Sequence, residues 1–220
     1  MATEVEAKFR AAGRHTLQRL ATVDRLGPAR LGPASVAEEA DRYLDTPEGL
    51  LAAAGWACRL RTRAGRTIVS LKGTAASKVG DLSGVHRRPE VEGPATAAID
   101  PGTWPASAAR DLLLELTRGV PLEQRLRLDQ RRTERVVALG GDEVATLSLD
   151  EVHVFDREGG SAGWLLIVEL EHADGAPDRE PALAPVASAL RAEPGLVPDP
   201  LTKLEHATRL IAESRAAAAG

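Results

Sequence analysis

The chain has 220 residues, 43% hydrophobic and 27% charged, which suits one sizeable core or two small ones and excludes disordered and collagen-like classes. With 28 Lys and Arg against 32 Asp and Glu the formal charge is −4, so no net positive field draws nucleic acid or an anionic membrane, and any anion site has to be local. A single cysteine, Cys58, excludes an internal disulfide, no run of about 18 apolar residues spans a bilayer, and MATEVEAKFR holds no apolar signal core, so a reducing cytoplasm is expected.

Over residues 3–10 polar and apolar side chains alternate as Glu4-Val5-Glu6-Ala7-Lys8-Phe9, the strand period. The i,i+4 spacing of Glu4 and Lys8 and the alanine keep a helix open as the alternative. Residues 14–23 place Leu17, Leu20 and Ala21 on one face of a short helix, and the Gly/Pro-rich stretch 27–33 reads as a loop. Thr46-Pro47-Glu48 offers an N-cap, a proline at the first helical position and a first-turn acid, with Gly55 closing the helix. Runs 56–63 and 66–72 flank Ala64-Gly65 as a tight hairpin. In it Arg59, Arg61 and Arg63 share a face, as do Ile68, Ser70 and Lys72, with Cys58, Leu60, Val69 and Leu71 opposite.

The small, polar stretch 74–84 predicts a flexible loop before a strand over 86–92, whose Glu90 and Glu92 share a face. A Leu-rich helix follows over 106–119, and strands begin near Leu122, with runs near 131–139, 143–150 and 163–172 and a hairpin turn at Gly140-Gly141-Asp142. The last run sets Ile167, Glu169 and Glu171 against Val168 and Leu170. Helices over 180–192 and 201–216 end the chain, and the Ala-rich 216–220 is expected to fray.

Ordinary half-buried sheets turn scattered polar residues to water. Here acids gather at Glu4/Glu6, Glu90/Glu92, Asp150 and Glu169/Glu171, and bases at Arg59/Arg61/Arg63, Lys72 and the 125–132 stretch. A sheet closed with these faces inward brings together oxygen ligands for Mg²⁺ or Mn²⁺ and bases that grip a polyanion, which suits phosphoryl chemistry. Left open, the same faces are solvated charge, and spacing alone does not choose. Aromatic content of 3% leaves few stacking platforms for nucleobases. Four lysines, Lys8, Lys72, Lys78 and Lys203, stand against 24 arginines, so each lysine is a candidate for a position needing a compact charge. His15, His86, His153, His172 and His206 show no metal-type spacing and are expected on the surface or on strands, and Gly13, Gly27 and Gly32 form no phosphate-binding glycine loop.

Seven stretches resemble, in order, the motifs of one family. Glu4-x-Glu6-x-Lys8 is similar to an ExExK opening. Tyr43-Leu44-Asp45-Thr46-Pro47, then Leu50, Gly55 and Arg59-Leu60-Arg61, resembles YxDTP…L…G…LRxR, and Lys72 follows between Leu71 and Gly73. Gly84-Val85-His86-Arg87-Arg88-Pro89-Glu90-Val91-Glu92, Ser148-Leu149-Asp150, Val168-Glu169-Leu170-Glu171 and Thr202-Lys203-Leu204-Glu205 complete the series. Together they resemble the CYTH superfamily, the triphosphate tunnel metalloenzymes, over residues 2–205.

That resemblance implies an α+β fold in which a closed antiparallel eight-stranded β-barrel binds a triphosphate in its tunnel, with helices packed outside. The tunnel-barrel domain would span 1–205, with 206–220 as helix end and frayed tail. Metal-dependent hydrolysis of inorganic triphosphate to pyrophosphate and phosphate is the implied activity, with Mg²⁺ or Mn²⁺. Glu4, Glu6, Asp150, Glu169 and Glu171 would hold the metals, with Glu90 and Glu92 as further acidic wall. Lys8, Arg59, Arg61, Lys72 and Lys203 would bind phosphate oxygens, and a carboxylate of the Glu169/Glu171 strand would orient the attacking water, with Lys8 also at the reacting phosphate. A further arginine falls at Arg131 or Arg132: the family's R-x-x-aromatic pattern selects Arg132, although Arg135 replaces the aromatic, and face parity with Arg125 and Arg127 selects Arg131. Asp45 is equally explained by helix capping. Thr146 replaces a glutamate common in bacterial members, which implies weaker acidity near one metal. Ala57 replaces the tryptophan of thiamine-triphosphate-specific members, and Trp56 points to the opposite strand face. Class IV adenylyl cyclase, thiamine triphosphatase and a non-catalytic polyphosphate-binding module are the alternatives; bacterial domains of this type often precede a helical, histidine-rich CHAD domain, which these residues do not contain. The expected partner is a triphosphate or polyphosphate, with nucleic acid and membrane excluded and a homodimer allowed.

Overall fold

Strands with one charged and one apolar face can satisfy both only if one face is shielded from the other, and this chain does so by rolling its sheet into a cylinder. The computed structural model describes residues 2–74, 85–172 and 180–219. Its first half runs β1 (Ala2–Ala11), α1 (Arg14–Thr22), β2 (Arg25–Leu26), β3 (Ala29–Leu31), β4 (Ser35–Asp45), α2 (Leu50–Ala53), β5 (Trp56–Arg63) and β6 (Arg66–Gly73). The second runs β7 (Val85–Ala95), a 3-10 turn (Pro101–Thr103), α3 (Ala108–Thr117), β8 (Glu123–Leu139), β9 (Asp142–Phe155), β10 (Ser161–His172), α4 (Glu180–Ala192), β11 (Leu196–Pro198) and α5 (Lys203–Ala219). The order β8-β4-β5-β6-β7-β1-β10-β9 closes because β9 pairs back onto β8, giving eight antiparallel strands in a ring with no free edge. β3 extends along β8 and carries β2, and β11 pairs with the end of β1.

Outward apolar faces are covered by helices. Phe9, Leu147, Leu149, Val168 and Leu170 pack under Leu17 and Leu20 of α1 and Leu183, Val186 and Leu190 of α4. Cys58, Leu60, Val69 and Leu71 pack under Leu51 of α2, Trp104 and Leu113 of α3. Burial pushes the Cys58 thiol up to about 12, which makes it inert. A third cluster faces inward at one end: Tyr43, Leu126, Leu128, Val152, Val154, Leu165 and Ile167 meet Leu204, Ala207, Leu210 and Ile211 of α5, which closes that end. No helix among the described residues is long and apolar enough to cross a membrane.

The strand reading of 3–10 holds, and Ala64-Gly65 forms the hairpin with positive φ at both residues (48° and 76°), as a type I′ turn requires. Stretch 27–33 is not all loop, since Ala29–Leu31 pairs with β2 and β8. β4 was not predicted, because its Ala- and acid-rich sequence has weak strand propensity; its long pairing with β5 and β8 overrides that. The helix expected at Thr46 begins later, at Leu50. The N-cap residue is Gly49, with φ 75°, and the first N–H groups are met from upstream: Thr46 Oγ1 accepts from Leu50 at 3.1 Å, and the Asp45 carboxylate accepts the Thr46, Leu51 and Ala52 N–H groups at 2.7, 2.9 and 3.1 Å. The predicted loop residues 75–84 lie outside the described residues, and α5 continues to Ala219 through 216–219, where fraying was expected.

Candidate functional site

Period-2 alternation on a closed ring sends every second side chain inward. The inward charges line a cavity of about 830 Å³. Among the described residues eight carboxylates and nine cationic side chains line it, so the lumen is close to neutral and most of its charges are held by one another.

Three ion-pair groups divide it. Beside the β1/β7 seam, Lys72 Nζ donates to Glu4 Oε1 at 2.6 Å and lies 2.9 Å from Glu90, while Arg88 reaches Glu4 at 2.6 Å and Glu6 at 3.0 Å. Where β8, β9 and β10 meet, Arg132 binds Asp150 through two 2.8 Å hydrogen bonds and Glu169 at 2.9 Å; Lys203 reaches the same two carboxylates at 2.6 and 2.8 Å. Lys8, 1% exposed, lies 3.2 Å from Glu6 and 3.6 Å from Glu169 and so links these two groups. Across the lumen Arg61 forks onto Asp41 at 2.7 Å through both nitrogens, and Arg63 joins Glu39 at 3.1 Å and Glu134 at 2.6 Å. Arg59 donates to Ser70 at 3.2 Å, yet its buried Nε has no hydrogen-bond partner among the described residues.

These pairs set the protonation. Burial pushes the Glu4 carboxyl up, but Lys72 and Arg88 outweigh it and bring it to about 2. The same contest ends with Glu169 well below the usual range, against Lys203, Lys8 and Arg132. Glu171 differs: it makes no hydrogen bond or ion pair among the described residues, and burial with the nearby Glu4 charge raises it to about 7. Its folded value lies above its ordinary 4.5, so stability is expected to fall as pH rises from 4.5 to about 7. Without added metal, Glu171→Gln is therefore expected to melt above wild type at pH 8 and together with it near pH 4. An equal offset at both would contradict the crowding.

Of the sequence-predicted residues, Glu4, Glu6, Lys8, Arg59, Arg61, Lys72, Glu90, Glu92, Arg132, Glu169, Glu171 and Lys203 line the cavity, and Asp150 stands behind it on Arg132 and Lys203. Arg131 does not join them: its side chain is 55% exposed, with Glu38 and Glu151 outside the barrel. Parity with Arg125 and Arg127 misleads because that face is the outer one; Arg127 lies over Phe155, and Arg125 donates to the Thr46 and Pro47 carbonyls. Arg88, Glu39 and Asp41 were missed. Arg88 stands two residues before Glu90, and Glu39 and Asp41 share parity with Tyr43, so alternation could have found all three. Ala57 lines the cavity opposite Lys72, while Trp56 packs outward. His206 is also misplaced by the sequence reading: it is buried on α5 and bonded to Asp199. The Thr202 and Glu205 of the last motif form a capping box, with Thr202 N–H to Glu205 at 2.7 Å and Glu205 N–H to Thr202 at 3.2 Å, which holds Lys203 in the first helical turn.

As the side chains lie, no three carboxylate, imidazole or thiol groups among the described residues enclose an ion. The donor set nevertheless fits a hard divalent cation, because Glu171, which forms no ion pair among the described residues, stands beside Glu4, Glu6 and Glu169 and all four offer oxygen ligands.

A closed barrel with a charged lumen and helices outside defines a tunnel-type β-barrel protein. The sequence matches the CYTH domain over residues 2–189, and the chain belongs to that family. No curated protein matches it. Similar solved structures include a candidate adenylyl cyclase from Hippeastrum described as revealing a dominant triphosphatase activity (20% identity, 94% of this chain and 95% of that one, TM-score 0.67). A candidate adenylate cyclase from Bacillus halodurans (16%, 94% and 98%, 0.60) and PH1819 from Pyrococcus horikoshii OT3 (14%, 93% and 98%, 0.54) share the fold.

Proposed function

We propose that the protein hydrolyses inorganic triphosphate to pyrophosphate and phosphate inside the lumen, with Mg²⁺ or Mn²⁺. The observation that carries this reading is that Lys8, Arg59, Arg61, Lys72, Arg132 and Lys203, from five separate elements, face one cavity whose single aromatic lining residue, among the described residues, is Tyr43. Such a lining suits a compact polyanion and offers no stacking surface to a base or vitamin ring. The activity described for the Hippeastrum protein is of this kind.

Glu4, Glu6, Glu169 and Glu171, with Asp150 behind them, would hold a divalent cation, which would supply charge neutralisation and a more acidic water. The cations of β5, β6, β8 and α5 orient the phosphate chain and offset charge on the transferring group. Arg59 Nε is an unclaimed donor for a phosphate oxygen. Of the two carboxylates on β10, Glu169 is committed to Arg132 and Lys203, which leaves the Glu171 carboxylate to take the proton of the attacking water.

The test is phosphate release from tripolyphosphate, ATP and thiamine triphosphate with Mg²⁺ or Mn²⁺, with cyclic AMP followed in parallel. Tripolyphosphate is expected to exceed the others in kcat/KM by about tenfold or more, and chelation to stop turnover. Cyclic AMP from ATP would instead make the protein a cyclase, and tight polyphosphate binding without turnover would make it a binding module.

A further inference from the structure

Asp199 and His206 do not line the cavity, yet both are buried, at 4% and 7% exposure, and they join across the turn that leads into α5. His206 Nε2 lies 2.6 Å from Asp199 Oδ2, and Asp199 Oδ1 accepts the Leu201 N–H at 3.0 Å. The Asp199 N–H donates to the Lys8 carbonyl at 2.9 Å. One residue therefore ties the strand carrying Lys8 to the helix start carrying Lys203. Both lysines meet at Glu169, at 3.6 and 2.8 Å.

Lys203 needs such support. Its ammonium stem leaves the first turn of α5, where unpaired N–H groups and the helix dipole repel a cation. Its charge is compensated only if the helix start is held where the ammonium reaches Asp150 and Glu169. The Thr202/Glu205 box fixes the backbone of that turn locally, and its side chains make no bond to the barrel wall among the described residues.

We propose that the Asp199–His206 pair is a positioning element that docks the start of α5 on β1 and so places Lys203 at Asp150 and Glu169. Neither residue touches the reacting atoms; both act through Lys203. Its kinetic consequence rests on the triphosphatase reading, whereas its structural consequence does not.

The experiment uses the full chain. Its four lysines allow an acetylating reagent to be followed at each ammonium by peptide mass spectrometry. In His206→Ala and Asp199→Ala, labelling of Lys203 is expected to accelerate about tenfold while Lys72 stays at the wild-type rate, and His206→Gln, which keeps a donor toward Asp199, is expected to restore most of the protection. In tripolyphosphate cleavage His206→Ala is expected to raise KM about tenfold with kcat within about threefold, and to add little in a Lys203→Ala background. A wholly structural role predicts additive effects in the two backgrounds. An unchanged Lys203 rate in the folded alanine variants, equal acceleration at Lys8, Lys72 and Lys203, or additive KM effects would each overturn the proposal. Should both alanine variants fail to fold, Asp199→Asn, which keeps the Leu201 contact but weakens the bond to His206, must still accelerate Lys203 selectively or the proposal falls. A wild-type protein that turns over no triphosphate removes the activity reading alone, since the labelling result decides the pair independently.

Discussion

Glu4→Gln/Glu6→Gln is expected to lose tripolyphosphate turnover by about 100-fold or more while keeping the fold. Glutamine preserves the shape of both side chains but removes two anionic oxygen donors from the place where Glu171 crowds them. Two of the three cations released keep a partner, Lys72 with Glu90 at 2.9 Å and Lys8 with Glu169 at 3.6 Å. Arg88 loses both of its ion-pair partners, keeps bonds only to neutral amide oxygens, and carries most of the stability cost. Phosphate release and a thermal melt on the same preparation separate the two effects. Undiminished turnover in a folded double variant would remove both glutamates from the metal site.

The largest stability effect is expected far from the lumen. Arg135 is buried and its guanidinium donates to four backbone carbonyls, Gly32 at 2.7 Å, Leu20 at 3.0 Å, Val23 at 2.5 Å and Leu31 at 3.2 Å. Two of these end α1, where the helix dipole favours a cation, and the others belong to the β3 turn. Arg135→Met fills similar volume but leaves these carbonyls without their donor, at a cost of about 3–5 kcal/mol in denaturant unfolding. Activity per folded molecule should be unchanged, because Arg135 faces outward under α1. A loss below about 1 kcal/mol would mean that water replaces the guanidinium at no penalty.

Strand faces were legible wherever alternation was strict. Arg59/Arg61/Arg63 against Cys58/Leu60, and Glu169/Glu171 against Val168/Leu170, fall on the inner and outer sides as read. Alternation gives two sides but not which is inside, and that is why Arg131 and Arg132 could not be separated on β8. The partner across the ladder decides it: Arg132 sits opposite Asp150, whose oxygens it forks onto, while Arg131 sits opposite the outward Glu151. Closure itself was not in the periodicity, since the β4–β8, β1–β7 and β1–β10 pairings join segments whose proximity no local pattern encodes. The order of short motifs supplied it instead. Asp45 shows the converse limit: Thr46 does accept the first helical N–H, of Leu50, but the helix starts four residues on and a carboxylate one residue earlier reaches three more N–H groups.

The near balance of charge in the lumen has a consequence for traffic through it. Among the described residues an entering anion finds only the exposed Arg66 and the Arg59 edge unpaired, so most oxygens it seats must unseat a carboxylate. Departure is the reverse swap, after which the walls neutralise themselves. Entry and exit are thus exchanges between comparable partners, which lets a strongly charged guest be held without being trapped.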